Sequence, residues 1–149
     1  MINRFEQFTS AISSIYRFVQ KIERDEMAKY GLKGAAAQYL LAMSRHPQGI
    51  TAAALCEVCD RDKAAVSRIL GEMEAKGLVA RAESDSAYRA LLKLTPAGQQ
   101  AADYVNQKAS LAVELAGRDV TDADRAVLYA TLARISNNIK AISRKGIPD

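Results

Sequence analysis

The run from Asp60 to Val79 constrains this chain more than any other segment, because it reads as one helix with two unlike faces. Wound at about 100° per residue, Val66, Ile69, Leu70 and Met73 fall on a single apolar stripe. The opposite side carries Arg61, Ala64, Arg68 and Gly71, with Ser67 at its margin and Lys63 nearer the apolar edge. Small residues let a helix backbone approach a neighbour closely, and the cations and hydroxyl can donate hydrogen bonds. A DNA major groove admits a helix and presents base-edge acceptors that Arg, Lys and Ser can read. Gly77 stops the helix as a C′ glycine does, and an apolar strand begins directly after it. A charged outer face also belongs to helices that merely cover a core, so the elements around this one decide between the two readings.

Residues 2 to about 28 place Ile2, Phe5, Phe8, Ile12, Ile15, Val19 and Ile22 at helical steps of three and four, with Gly31 closing the helix. A second helix is expected from Lys33 to about Arg45, broken by His46-Pro47-Gln48-Gly49. Thr51 is a good N-cap for a short third helix with Leu55 and Val58 facing inward, and Asp60 is expected to cap the recognition helix in the same way. Helix, short turn and outward-presented helix form the helix-turn-helix pattern. Residues 78–82 and 89–94 read as two strands joined through the polar stretch 83–88 as a hairpin. Thr95-Pro96 restarts helix to about Ala116, because Thr suits the N-cap and Pro the first helical position. After a break at Gly117, Thr121-Asp122-Ala123-Asp124 resembles a capping box. The last helix then sets Leu128, Leu132, Ile135, Ile139 and Ile142 on one side. These terminal stripes are more apolar surface than a domain of this size needs for itself, which points to a homodimer; a monomeric bundle that satisfies them internally is the other arrangement the pattern allows.

Length and composition bound the answer without choosing it. The chain has 149 residues, enough for one domain or a small domain with helical arms. It is 49% hydrophobic and 26% charged, with no Trp, and its abundant Ala favours helix over sheet. A net charge of +4 is compatible with a polyanionic partner but does not select one. No apolar run approaches the roughly 18 residues of a spanning helix, and the first residues carry no continuous apolar signal segment. The expected setting is the cytoplasm, with no membrane association and with Cys56 and Cys59 reduced.

Several short motifs then carry a family resemblance over essentially the whole chain. They are Tyr30-Gly31-Leu32, Gly49-Ile50-Thr51, Leu55, Ala65-Val66-Ser67-Arg68, Lys76-Gly77-Leu78-Val79-Ala80-Arg81 and Leu94-Thr95-Pro96-Ala97-Gly98. In this order and spacing the chain resembles the MarR family of winged helix-turn-helix transcriptional regulators. The resemblance implies a mainly α fold with a small β-hairpin wing, residues 1–149 forming one MarR-like domain. About 33–95 would be the DNA-binding part, and about 1–30 and 96–145 the dimerisation helices. It further implies a two-fold dimer on double-stranded DNA, with each recognition helix in a major groove and each wing at a neighbouring minor groove. Repression, and release by a small-molecule effector, are common in the family; activation stays open, since it depends on where the operator lies.

Carried onto matching positions, the resemblance makes Ser67 and Arg68 base or phosphate contacts, with Lys63 and Ala64 one turn earlier. Arg61 joins them from the outer face. Arg81, at the base of the wing, is also assigned to DNA, and Thr51 opens a helix whose first amides suit a phosphate. The wing departs from the family pattern. Counting back from Leu94-Thr95 puts Ala87 and Tyr88 where paired arginines are common, and only Arg89 is basic, four residues after Asp85. Arg89 is assigned to DNA on that footing.

Rival chemistry has less to stand on. Cys56-Glu57-Val58-Cys59 lacks the four ligands of a structural zinc, since the chain has no other cysteine and one histidine, His46. The pair is either small apolar filling or the sensor of a thiol-responsive regulator. No phosphate loop, nucleophile elbow or zinc-protease motif is present, so no catalytic residues, cofactor or metal are expected and the chain is not read as an enzyme. A winged-helix module that binds protein and no DNA would want an apolar outer face on the recognition helix, which Arg61, Ser67 and Arg68 do not make.

Overall fold

A strand too short to be seen in the sequence organises the winged part of the protein. The computed structural model describes residues 3–86 and 89–148; Ile2, Ala87 and Tyr88, named above, lie outside them. The elements run α1 (Arg4–Ala28), α2 (Ala36–Ser44), β1 (Ile50–Thr51), α3 (Ala52–Cys59), α4 (Lys63–Ala75), β2 (Val79–Arg81), β3 (Leu91–Leu94), α5 (Pro96–Ala116) and α6 (Asp122–Lys145). The anticipated hairpin forms, with Val79 opposite Leu94 and Arg81 opposite Leu92. The unanticipated β1 pairs with the other edge of β3, Ile50 opposite Leu92, so β3 is the central strand of an antiparallel sheet. Two residues show no periodicity; only the pairing makes them a strand.

The chain divides into two units, Met1–Lys108 and Ala109–Asp149. The first holds the core. Tyr39, Leu40 and Met43 of α2, Leu55 of α3, Val66, Leu70 and Met73 of α4, Leu92 of β3 and Met27 of α1 are almost wholly withdrawn from solvent. Burying each such aliphatic side chain contributes about 1.5–3 kcal/mol, so the apolar stripe of α4 is anchored along its whole length. Helix α2 begins later than Lys33 because its first turn is tight: the carbonyls of Lys33, Gly34 and Ala35 accept from residues three ahead, and no side chain caps it. Helix α1 starts with a full capping box, in which Asn3 accepts from the Glu6 amide and Glu6 accepts from the Asn3 amide. It ends where Leu32 and Gly31 donate to the carbonyls of Met27 and Ala28, as expected for a stop at Gly31. There, Tyr104 of α5 donates to Glu26 at 2.5 Å and Lys29 donates to both at 2.7 Å. The Lys29 and Tyr104 hydrogen bonds hold the Glu26 carboxyl below its ordinary range, and the same contacts push the Lys29 ammonium up.

Thr95 caps α5 as the Thr-Pro pair predicts, its Oγ1 accepting from the Gly98 amide at 3.1 Å. Gly98 is there for space: a Cβ at this position would stand 1.9 Å from the carbonyl oxygen of Leu78. In the second unit, the Arg125 guanidinium donates to the Gly117 carbonyl at 3.0 Å across the turn. Thr121 caps α6 by accepting from the Asp124 amide at 3.1 Å. The expected reciprocal half of that box is altered, because the shorter Asp124 carboxylate takes the Thr121 hydroxyl at 2.7 Å. No residue of α6 is buried.

Two glycines on helices should therefore answer oppositely to the same change. Gly98→Ala should lower stability in urea unfolding by about 3 kcal/mol, since the obstacle is backbone and cannot swing away. Gly71→Ala, with nothing within 4 Å of the added carbon, should raise it by about 1 kcal/mol.

Candidate nucleic-acid interface

Thr51 ends β1 and caps α3, its Oγ1 accepting from the Ala54 amide at 3.1 Å. Helix α3 ends in a left-handed residue, and this corrects the expectation for Asp60. Asp60 has φ +52° and closes α3, with Arg61 donating to the Cys56 carbonyl at 3.0 Å. The cap of the recognition helix is Asp62, which accepts from the Ala65 amide at 2.8 Å. Helix α4 thus begins at Lys63, and Arg61 belongs to the turn before it. Val58, expected to face inward, is 48% exposed, because the core side of α3 is taken by Ala52 and Leu55, with Cys56 and Cys59 partly buried beside them.

On α4 the two faces separate cleanly. Val66, Ile69, Leu70 and Met73 are buried, whereas Lys63, Ala64, Ser67, Arg68 and Gly71 are exposed. Arg61 is exposed beside them. Neither Arg61 nor Arg68 forms an ion pair among the described residues, which leaves both guanidinium groups turned to solvent. Gly77, at φ +71°, ends the helix: its amide and that of Leu78 donate to Glu74 and Met73. The positive φ is one that a side chain resists, and it turns the chain sharply into β2.

Arg81 stands at the base of the wing as expected, but its guanidinium is engaged by Glu74 of α4 at 2.6 Å. The sequence offers no sign of this pair, because no helix or strand spacing rule relates residues across a helix–strand corner. Arg89 is exposed in the turn that leads into β3, its amide donating to the Ser86 carbonyl at 3.1 Å. Asp85 is in a bend on the other side of that turn. Thr51, Arg61, Lys63, Ala64, Ser67 and Arg68 come from one continuous stretch of chain, and Arg89 comes from the wing.

The two cysteines are partly buried against the core. Burial is the main cause that pushes the Cys59 thiol up, and its Sγ lies 3.9 Å from the Gln38 carbonyl. Among the described residues no group of three or more His, Cys, Asp or Glu gathers to hold a metal, and no helix is long and apolar enough to cross a membrane.

The sequence model of the MarR family matches residues 30–90, from the end of α1 through the wing. Over that stretch the chain is similar to the MarR family. It is 26% identical over 125 residues to a protein of Thauera aromatica named as a candidate transcriptional regulatory protein for the hcr operon, covering 83% of this chain and 72% of that one. Among solved structures, a MarR-family transcriptional regulator of Silicibacter pomeroyi is 25% identical with a TM-score of 0.78, covering 93% of each chain. A candidate MarR-family regulator of Listeria monocytogenes, solved with a 26mer DNA, shares the fold at a TM-score of 0.81 and 22% identity, covering 100% of this chain and 99% of that one. These likenesses are to MarR-family regulators, and the solved structures share the fold of this chain.

Two measurements check the local chemistry. Asp62→Ala should cost about 1 kcal/mol of stability through the lost cap, whereas Asp60→Ala, which leaves the left-handed backbone in place, should cost more than Asp60→Gly. The raised Cys59 thiol stabilises the fold fully below the ordinary thiol value of 9.0, and that contribution is lost as pH rises above it. Stability measured from pH 8 to 10 should fall less steeply in Cys59→Ala than in the wild type.

Proposed function

We propose that this chain is a MarR-family regulator that acts in the cytoplasm as a homodimeric repressor and binds a pseudo-palindromic operator. The observation that carries the reading is the outer face of α4: cations, a hydroxyl and small residues exposed on a helix whose other side is fully anchored. Residues about 33–95 are the DNA-binding part, with α4 in the major groove. Arg61, Lys63, Ala64, Ser67 and Arg68 meet the DNA from the turn and helix, Thr51 presents the start of α3 to a phosphate, and Arg89 brings the wing to the minor groove. The Listeria monocytogenes relative solved with DNA supports the partner.

Residues about 1–30 and 96–145 serve dimerisation. Support comes from apolar side chains left uncovered in the single chain, among them Phe5 at 72% exposure, Ile15 and Phe18 on α1 and Val127 on α6. A dimer reads two half-sites centred about one helical turn apart. A small-molecule effector would release DNA by binding one spacing of the two DNA-binding parts better than the other. As a thiol sensor Cys59 is poorly suited, because burial raises its thiol and a raised thiol is a poor nucleophile at neutral pH.

Selection from random-sequence duplexes with the full chain should enrich an inverted repeat. Arg68→Ala should weaken binding to that repeat by about 1–3 kcal/mol and relax the preference at one position of each half-site. Affinity should fall steeply between 50 and 200 mM salt, as phosphate contacts require. A folded protein that enriches no sequence at low salt would instead be a winged-helix module for a protein partner.

A further inference from the structure

Glu74 lies two turns beyond Ser67 on the same side of the recognition helix, where a bare carboxylate would repel a phosphate backbone. It is not bare. From the far end of β2, Arg81 reaches back across the corner, Nη2 donating to Oε1 at 2.6 Å and Nε to Oε2 at 3.4 Å. Both side chains are about two-thirds covered, at 28% and 31% exposure. A two-pronged contact of this kind fixes orientation as well as distance.

The start of β2 is held separately. Thr95 donates through its amide to the Leu78 carbonyl at 3.0 Å and through Oγ1 to the Gly77 carbonyl at 2.6 Å. A three-residue strand held at one end can swing about that end; a second anchor at the other end removes the swing. Arg81 is the last residue of the strand, and Glu74 is in the last turn of the helix it grips.

We infer that Glu74 and Arg81 form a strut that sets the direction of the wing relative to the recognition helix. They are positioning residues for DNA binding, and Arg81 is not itself a DNA contact. The inference rests on the DNA-binding function proposed above. Helix and wing must meet adjoining grooves of one duplex at the same time, so a wing free to swing meets its groove in only part of the population.

The test uses the full chain as wild type, Arg81→Gln, Glu74→Gln and the charge swap E74R/R81E. The DNA probe is the inverted-repeat duplex that the wild type enriches. Arg81→Gln should bind about fivefold more weakly, with the slope of log affinity against log salt unchanged, and the swap should recover most of the loss. A slope shallower by about one, with no recovery in the swap, would make Arg81 a phosphate contact and overturn the strut. A second readout needs no DNA. The Ala82 amide, bonded to the Leu91 carbonyl at 2.8 Å just past Arg81, should exchange its hydrogen faster in Glu74→Gln, while amides of α2 keep their wild-type rates. Unchanged exchange at Ala82 overturns the strut whatever the DNA data show. A wild type that binds no duplex defeats the proposed function, and the exchange rates then decide the strut alone.

Discussion

The backbone carbonyls of Gly77 and Leu78 are the point at which recognition helix, wing and α5 are joined. Thr95 takes both of them, one through its hydroxyl and one through its amide. Gly98 lets α5 press directly onto the second, where any side chain would collide with it. Polar groups at a helix end must find partners when they are withdrawn from water, and here the partners belong to the cap of the next helix, α5. The end of α4 is thereby tied to the start of α5 without relying on the hairpin between them. The frame that carries the wing is therefore fixed by contacts outside the wing itself.

Within α4 the division of labour is sharp. Four apolar residues fix the helix in the core, and the face opposite them makes few commitments inside the protein. Helices α1 and α6 show the same period with the opposite outcome, since α1 buries only Met27 and α6 buries nothing. Apolar periodicity therefore establishes that a segment is helical and leaves open what covers its stripe. That depends on which surfaces the rest of the fold brings alongside.

The same distinction marks what was legible in the sequence. Each helix, the stops at Gly31 and Gly77, the Thr51 and Thr95 caps and the hairpin rest on local rules, and those rules held. Features that depend on distant partners were not legible: β1 exists through its pairing with β3, and Glu74 meets Arg81 across a corner. The turn before α4 failed for a third reason. Asp60 and Asp62 are equally good caps by type, and the choice fell to Asp62 because α3 ends through a left-handed Asp60. For the candidate interface, the exposed side of α4 from Lys63 to Gly71 was readable, while the place of Arg61 in the preceding turn and the engagement of Arg81 were not.

The three-stranded sheet has a further consequence. Its outer strands contribute two and three residues, and the longest strand lies between them with both sides paired. Edges so short expose few unpaired N–H and C=O groups, which are the features that let one sheet recruit another indiscriminately. A protein that leaves so much apolar helix uncovered is otherwise prone to sticking. With its sheet edges nearly closed, contact between chains is left to side chains, whose shapes can tell one partner from another, and not to the backbone, which is the same in every protein.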